Sequence, residues 1–455
     1  MRRSPLCVLL ALASIVAACG GDDSAGTPVA SSTTVATSPD DSDAPTTTVA
    51  AEVANPASAY CAQQGGTVEI VEEEGGQVGY CNLPDGTRVE EWEFYEASQP
   101  PAEVTAATGS SLSSEGQVGW YPSIAIGSDG NPVISHHDRD KGDLLITHCD
   151  DQTCSSSTTT TLDSDGEVGL YTSLAIDDDG RPVIAHQDRL NGDLRITRCA
   201  DASCTSASTV VASSEGDVGW DPSIMIGADR FPVISHHDNS TGFLLVTHCK
   251  NADCSDASTS VADDSGEVGW YTSMTWDSNG FPVISHRDET NDDLRVTRCG
   301  DVACTTATSV TVDSEGDVGL ETSIARGSDL LPVIAHFDFS KATLRVTKCL
   351  TEDCSESTTT AIDTGRQSGK SPSVVIGTNG MPLIAHLDLT NSLVWVTTCD
   401  DDACSSSTTT YVDDVASNDV AITFGRDRHP IVASHASGED GLRLVRCNNF
   451  TCTEE

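Results

Sequence analysis

Short apolar runs separated by polar turns fill most of the chain, and the arrangement returns every fifty residues. One unit, from Tyr171, reads YTSLAIDDDGRPVIAHQDRLNGDLRITRCADASCTSASTVVASSEGDVGW. Four runs within it have strand length and β-branched content: TSLAI, PVIAHQD, DLRITRC and STVVAS. A tight turn, Asp177 to Arg181, separates the first two and places Gly180 where a positive φ is expected. A cysteine hairpin separates the last two, and an acidic loop, SEGDVGW, leads onward. The pattern predicts four antiparallel strands per repeat.

The period can be counted on cysteines. Seven pairs have four residues between partners: Cys149/Cys154, Cys199/Cys204, Cys249/Cys254, Cys299/Cys304, Cys349/Cys354, Cys399/Cys404 and Cys447/Cys452. Pairing within each unit is the simplest connectivity, because each unit then carries its own staple. Zinc is disfavoured by the spacing. Four-stranded units of about fifty residues are longer than most strand solenoids use and suit β-propeller blades. The fold expected over 103–455 is therefore all-β, a seven-bladed β-propeller with one disulfide per blade. The last unit stops at Cys452-Thr453-Glu454-Glu455, before a fourth strand. The segment near 103–112 matches a fourth strand and is expected to complete blade seven, which removes open sheet edges.

The second strand of six units carries His-x-Asp. The pairs are His136/Asp138, His186/Asp188, His236/Asp238, His286/Asp288, His336/Asp338 and His386/Asp388. In the seventh unit His435 falls one residue later and no Asp follows. Residues two apart on a strand share a face. Chemistry needs one asymmetric site, so six equal copies point to structure: a buried imidazole with a partner, and an Asp that orients it or closes the next turn. Tryptophan–aspartate repeat propellers use His and Asp in a comparable structural network, and the pattern here is similar to it without the Trp-Asp ending. His137 and His237 are expected to be packing residues.

Composition narrows the partners. With 70 acidic and 24 basic residues the formal net charge is −46, which repels nucleic acid and anionic lipid. The opening MRRSPLCVLLALASIVAAC has arginines, an apolar run too short to span a bilayer, then small residues, as in a secretory signal. Its end, Val16-Ala17-Ala18-Cys19, resembles the lipobox of bacterial lipoproteins. That resemblance implies removal of residues 1–18, lipid on Cys19, and an extracytoplasmic protein anchored to the bacterial cell membrane. Residues 19–54 are small, polar and Pro-containing and read as a flexible tether. An oxidising compartment accords with the even number of remaining cysteines.

Residues 55–97 read as a mini-domain of two or three strands, TVEIV, QVGYCNL and TRVEEWEFY, stapled by Cys61–Cys81. It resembles a small hemolysin-type family through Asn55-Pro56-Ala57, Tyr60-Cys61, Gln64-Gly65-Gly66, Gly79-Tyr80-Cys81, Leu83-Pro84-Asp85-Gly86 and Glu91-Trp92. The family has no established activity, and no amphipathic basic helix or long apolar hairpin here suggests membrane lysis.

Ligand candidates lie where loops converge. Trp120, Trp220 and Trp270 recur in the acidic loops, with Tyr121, Tyr171 and Tyr271 nearby, and rings beside carboxylates suit sugars. Blade five carries Arg326 in strand one, and blade six carries Arg366 and Lys370 where other blades carry acids. Such departures are where a specific site is sought, because the scaffold does not require them. Asp163-Ser164-Asp165-Gly166-Glu167 resembles part of a calcium loop but lacks the terminal Glu of the full pattern, so no cofactor is expected beyond a calcium alternative. The turns GSDGNP and DSNGFP resemble Asp-box turns of sialidase-like propellers, without the Ser-x-Asp-x-Gly-x-x-Trp signature. Three functions follow: a monomeric propeller recognising a glycan or protein, as propeller lectins do; a sialidase-like or other glycoside hydrolase; or a structural envelope protein. The first is favoured, since no catalytic set can be assembled from unique positions.

Overall fold

The computed structural model describes residues 56–73, 76–91, 94, 107–112, 116–362, 367–388, 390–414, 416–436 and 441–453. The expected signal 1–18, lipid-bearing Cys19, tether 19–54, Trp92 and Arg366 lie outside them.

The small N-terminal unit differs from the expectation of strands alone. Helix α1 (Pro56–Gln63) precedes strands β1 (Thr67–Glu73), β2 (Gly76–Asn82) and β3 (Arg88–Glu90). Pro56 suits the first helical position, and Ala57, Ala59 and Ala62 are strong helix formers. The helix is too short to display a periodic apolar face, which is why the pattern did not announce it. Cys61–Cys81 ties it to β2. Gly66 must be glycine, since a Cβ there would lie 2.6 Å from Cys81 Sγ. Ser58 Oγ donates to buried Glu91 at 2.6 Å.

From Ala107 onward the described residues form seven four-stranded antiparallel sheets with the shape of blades. Within a repeat the strands follow in sequence order, as in blade two: Leu170–Ile176, Pro182–Asp188, Asp193–Cys199 and Ala207–Ser213. Blade seven draws its fourth strand from the N-terminal side: β4 (Ala107–Ser111) pairs with Gly441–Cys447. The first strand of each blade packs against that of the next, and Ala416–Phe424 of blade seven packs against Trp120–Ile126 of blade one.

The predicted strands match in all repeats, and the seven intrablade disulfides form as expected: Cys149–Cys154, Cys199–Cys204, Cys249–Cys254, Cys299–Cys304, Cys349–Cys354, Cys399–Cys404 and Cys447–Cys452. The backbone at these pairs adds a feature. Gly180 has the positive φ expected at its turn, 77°, and the second cysteine of every pair adopts a positive φ too. Cys154, Cys204, Cys254, Cys304, Cys354, Cys404 and Cys452 lie outside the strands with φ between 52° and 57°, whereas the first cysteine of each pair ends a strand. A tight turn is the reason. Cys154 N–H donates to Asp151 O at 3.1 Å, and Cys204, Cys254, Cys304, Cys354 and Cys404 repeat the bond. The left-handed residue after that turn redirects the chain, so that a bridge can close over four residues.

The core lies between blades rather than within them. Val183 and Ile196 of blade two, for example, pack with Ile224 and Ile234 of blade three. Every second strand is buried at each of its seven positions, so its polar residues must be satisfied internally.

Backbone N–H groups reach across the joints as well. Leu174 N–H donates to Ser123 Oγ at 3.0 Å, and the same bond recurs from Ile224 to Ser173 through to Ile422 and Ser373. Blade seven has Ala421 at the equivalent register position.

The six repeated histidines serve this architecture. Gly219 N–H donates to His236 Nδ1 at 3.2 Å. Nε2 therefore holds the imidazole proton and donates it to Thr247 Oγ1 at 2.9 Å. Thr247 in turn lies 2.8 Å from Thr259 Oγ1, so one relay crosses the sheet. Five blades have the whole relay, with Ser309 as the last member in blade four. His386 keeps its bond to Thr397, while its Nδ1 has no partner among the described residues. Blade seven carries Ser434, Val445 and Gly109 at the three side-chain positions. Burial pushes these imidazoles down, to about 3 for His136, His236, His336 and His386 and to about 4 for His186 and His286. They are neutral at physiological pH, which the relay requires.

The aspartates of the motif bond elsewhere. Asp138 Oδ1 accepts the N–H groups of Asp140 and Lys141, closing the following turn; Asp188, Asp288 and Asp388 do the same, while Asp238 accepts the N–H of Ser240 and Asp338 that of Lys341.

Candidate functional site

A cavity of about 420 Å³ opens where the first strands of all seven blades begin. Its wall is built by one short motif. In Val218-Gly219-Trp220-Asp221, the valine is buried, and the glycine adopts φ 80°. A Cβ on Gly219 would lie 2.9 Å from Leu194 Cα in the preceding blade, so only glycine permits the approach. The ladder then slips: Trp220 pairs with His237 and Ser223 with Ser235, leaving two residues opposite one. This bulge turns the side chain of Asp221 toward the cavity.

The same bulge places Tyr121, Tyr171, Asp221, Tyr271, Glu321 and Ser371 in equivalent positions. All six are non-glycine residues in the left-handed region, with φ between 45° and 54°. Such backbone costs on the order of 1 kcal/mol per residue and persists only where its surroundings hold it. Thr272 Oγ1, for instance, donates to the Asp221 carbonyl at 2.8 Å, and Thr172 does so to that of Tyr121. Asp419 takes the corresponding place in blade seven. Seven homologous places around the cavity thus hold Tyr, Tyr, Asp, Tyr, Glu, Ser and Asp.

Rings and charges are interleaved around the wall, with Asp221 between Tyr171 and Tyr271 in blade order. Trp120, Tyr121, Tyr171, Trp220, Trp270 and Tyr271 form a continuous series with centroid separations of 4.5 to 6.5 Å. Of these, Trp120 and the three tyrosines line the cavity. Trp220 and Trp270 stand behind it: Trp220 Nε1 donates to Asp217 at 3.0 Å, and Trp270 lies on His237 at 4.1 Å. Lys370 and Ser371 of blade six lie between Glu321 and Asp419 in blade order.

Each carboxylate accepts a backbone N–H from a neighbouring blade. Tyr271 N donates to Asp221 at 3.0 Å, Ser371 N to Glu321 at 2.5 Å, and Tyr121 N to Asp419 at 3.3 Å. Burial nevertheless dominates. It raises Asp221 to about 6 and Glu321 to about 7, and raises Asp419 as well; the charge of Asp419 adds to the shift of the other two, and that of Asp221 to Glu321. The Lys370 ammonium opposes the shift at Glu321 and Asp419. Burial also raises the phenols of Tyr121, Tyr171 and Tyr271.

Five of the nine sequence candidates, Trp120, Tyr121, Tyr171, Tyr271 and Lys370, therefore meet in one cavity. Arg326 does not. It ends strand Leu320–Arg326, where its Nε donates to Leu330 O at 3.2 Å. A seven-residue strand carries it roughly 20 Å from the cavity end. Asp221, Glu321 and Asp419 were not singled out. The signal was available: aligning the repeats on Val-Gly-(Trp/Leu) exposes one column that alternates between Tyr, Asp and Glu.

The proposed calcium run is used otherwise, since buried Asp163 pairs with Arg195 at 3.0 Å. Among the described residues no group of three or more His, Cys, Asp or Glu side chains is arranged to hold a metal ion.

Residues 52–98 match the family described as Domain of unknown function (DUF333). Uncharacterized protein YoaF of Escherichia coli strain K12 is 41% identical over 51 residues, covering 11% of this chain. The chain spans 61% of the length of that relative. Among solved structures, polysaccharide lyase Uly1 is similar over 78% of this chain and 94% of its own, at 10% identity and TM-score 0.49. The alpha-L-arabinanase of Penicillium chrysogenum, complexed with arabinobiose, covers 76% of this chain and 97% of its own, at 12% identity and TM-score 0.45. At these scores neither likeness carries an argument about function.

Proposed function

We propose that the chain is a lipid-anchored, extracytoplasmic, monomeric binding protein whose blades close into a seven-bladed propeller with a sugar-binding central cavity. One observation carries the reading. The column that departs from the repeat is the column that lines the cavity, and it retains costly left-handed backbone to do so. Tyrosine rings supply stacking surfaces for the apolar face of a sugar, while Asp221, Glu321 and Asp419 accept hydroxyl protons. The cavity volume suits one to a few sugar residues. Lipid on Cys19 and the tether would hold this cavity outside the membrane.

A glycan-binding screen on the full chain in detergent, with and without calcium, tests the proposal. Retention of glycans that is lost in Tyr171→Ala supports it, and uniform failure to bind removes it.

A specific observation favours a second reading, glycoside hydrolysis. Glu321 is raised to about 7, into the range a general acid needs, and Asp221, raised less, to about 6, lines the same cavity. Release of sugar by the native chain, abolished in Glu321→Gln, would replace binding with turnover.

A further inference from the structure

We propose that the cavity selects sugars bearing a free, protonated amine over neutral or anionic sugars. This rests on the reading of the cavity as a sugar site and names the class of sugar it takes.

The lining decides the sign. Its charged side chains are Asp221, Glu321, Asp419 and Lys370, three carboxylates against one ammonium. The backbone N–H groups that could hold an anion are already occupied. The N–H groups of Tyr121, Tyr271 and Ser371 all donate to the carboxylates, and Ser371 Oγ donates to Asp419 at 3.2 Å. A uronate or sialate would meet acceptors and a single lysine. An ammonium meets carboxylates from blades three, five and seven and the rings of Tyr121, Tyr171 and Tyr271. Carboxylates and aromatic faces together are the environment in which a desolvated ammonium gains most. The ring of an amino sugar would use the remaining aromatic surface, which a simple alkyl amine would leave wet.

The cavity is also poised for a cation. Three half-buried acids, desolvated in the cavity wall, hold protons to higher pH than usual, as Glu321 at about 7 and Asp221 at about 6 do. An ammonium arriving among them takes over the role of those protons and releases them. Binding should therefore liberate protons near pH 6.5 and strengthen from about pH 5 to 6.5, above which the sugar amine begins to lose its own charge. Groups facing the three acids are Lys370 and the three tyrosines, with Arg139, Arg189 and Arg287 acting on the tyrosines at longer range. None of these has an ordinary pKa in that interval, but the sugar amine titrates near its upper end, as an α-amino group does, so the protons released are those of the acids less the fraction the amine takes up.

The test is calorimetric titration of the full chain in detergent with a β-1,4-linked glucosamine tetramer, its N-acetylated counterpart, the glucose tetramer and spermidine. Buffers of different ionisation enthalpy report proton release. The expected result is glucosamine binding roughly 10- to 100-fold tighter than the acetylated or glucose tetramers, the scale of one charge-assisted contact. Proton release near pH 6.5 should accompany it. Glu321→Gln keeps the acceptor for Ser371 N and should erase the preference and much of the proton release. Equal affinity for all three tetramers overturns the amine inference and leaves the sugar site standing. Tight spermidine binding with no tetramer bound overturns both, as does failure of every probe. Should the variant misfold, proton release by the native chain decides alone: its absence sinks the proposal.

Discussion

Two columns of the repeat, two places apart in the architecture, have opposite histories. The histidine column of the second strand is the same in six blades and ends on the same threonine in all six. The bulge column of the first strand changes from blade to blade through Tyr, Asp, Glu and Ser, while its backbone stays put. Burial explains the contrast. Six imidazoles stand fully enclosed, each with a defined donor or acceptor, so substitution leaves orphaned polar groups. The bulge column faces a cavity, where no neighbour dictates the side chain. Repetition marks what the fold needs, and variation under an unchanged backbone marks what the fold leaves free for a ligand.

The two columns should also titrate in opposite senses, and this yields the largest expected effect. The histidines bind protons in the unfolded chain at about 6.5 and in the folded chain only at about 3 to 4. Their contribution to stability is complete above pH 6.5 and is lost as pH falls through 6 toward 3. With six such groups the loss should reach about 8 kcal/mol per pH unit near pH 5, seen as cooperative acid unfolding by circular dichroism. A melt unchanged between pH 7 and pH 4 would break the comparison.

A single break in the histidine column comes next. His236→Ala leaves the N–H of Gly219 without its partner, removes one of the two partners of the Thr247 hydroxyl and opens a void. It should cost about 3 kcal/mol in urea denaturation while ligand binding by the folded protein persists.

Glu321→Gln sharpens the cavity side. The raised carboxyl contributes stability present at low pH and lost as pH rises from about 4.5 to 7. Removing it should stabilise the protein by roughly 1–2 kcal/mol at pH 8 relative to pH 5, after allowance for solvent reaching the cavity. Unfolding curves at the two pH values check the sign, which is the reverse of that for the histidines.

The smallest effect concerns strain. Ser371 sits at φ 52°, a conformation glycine adopts freely. Ser371→Gly should raise stability by up to about 1 kcal/mol, offset in part by its lost hydroxyl bond to Asp419. A thermal melt resolves it, and a clear loss of stability would show that the backbone there is unstrained.

Much of this molecule was legible beforehand because local rules repeat. Strand PVIAHQD, its turn at Gly180 and the stapled hairpin Cys199–Cys204 each follow from neighbours in sequence, and recurrence multiplied a weak signal. The pairing of Ala107–Ser111 with Gly441–Cys447 was readable too, since one end lacked the strand that the other end carried in excess. The left-handed backbone of Cys154 and its six counterparts was not, because cysteine carries none of the preference that marks glycine in a turn. Helix α1 was missed because eight residues without an apolar stripe resemble a loop. Arg326 was misplaced because its departure from Ile was visible but the end of the strand it occupied was not weighed.

The cavity divides the two kinds of information. Strand order, disulfides, charge and even the variable column reside in the chain itself, because each depends on residues close in sequence or on the period. What brings Asp221, Glu321 and Asp419 to one cavity, about a hundred residues apart in turn, is the packing of each first strand on the next. Only that packing removes water from the three carboxylates and makes them repel, and desolvation is a property of the assembled wall rather than of any residue in it.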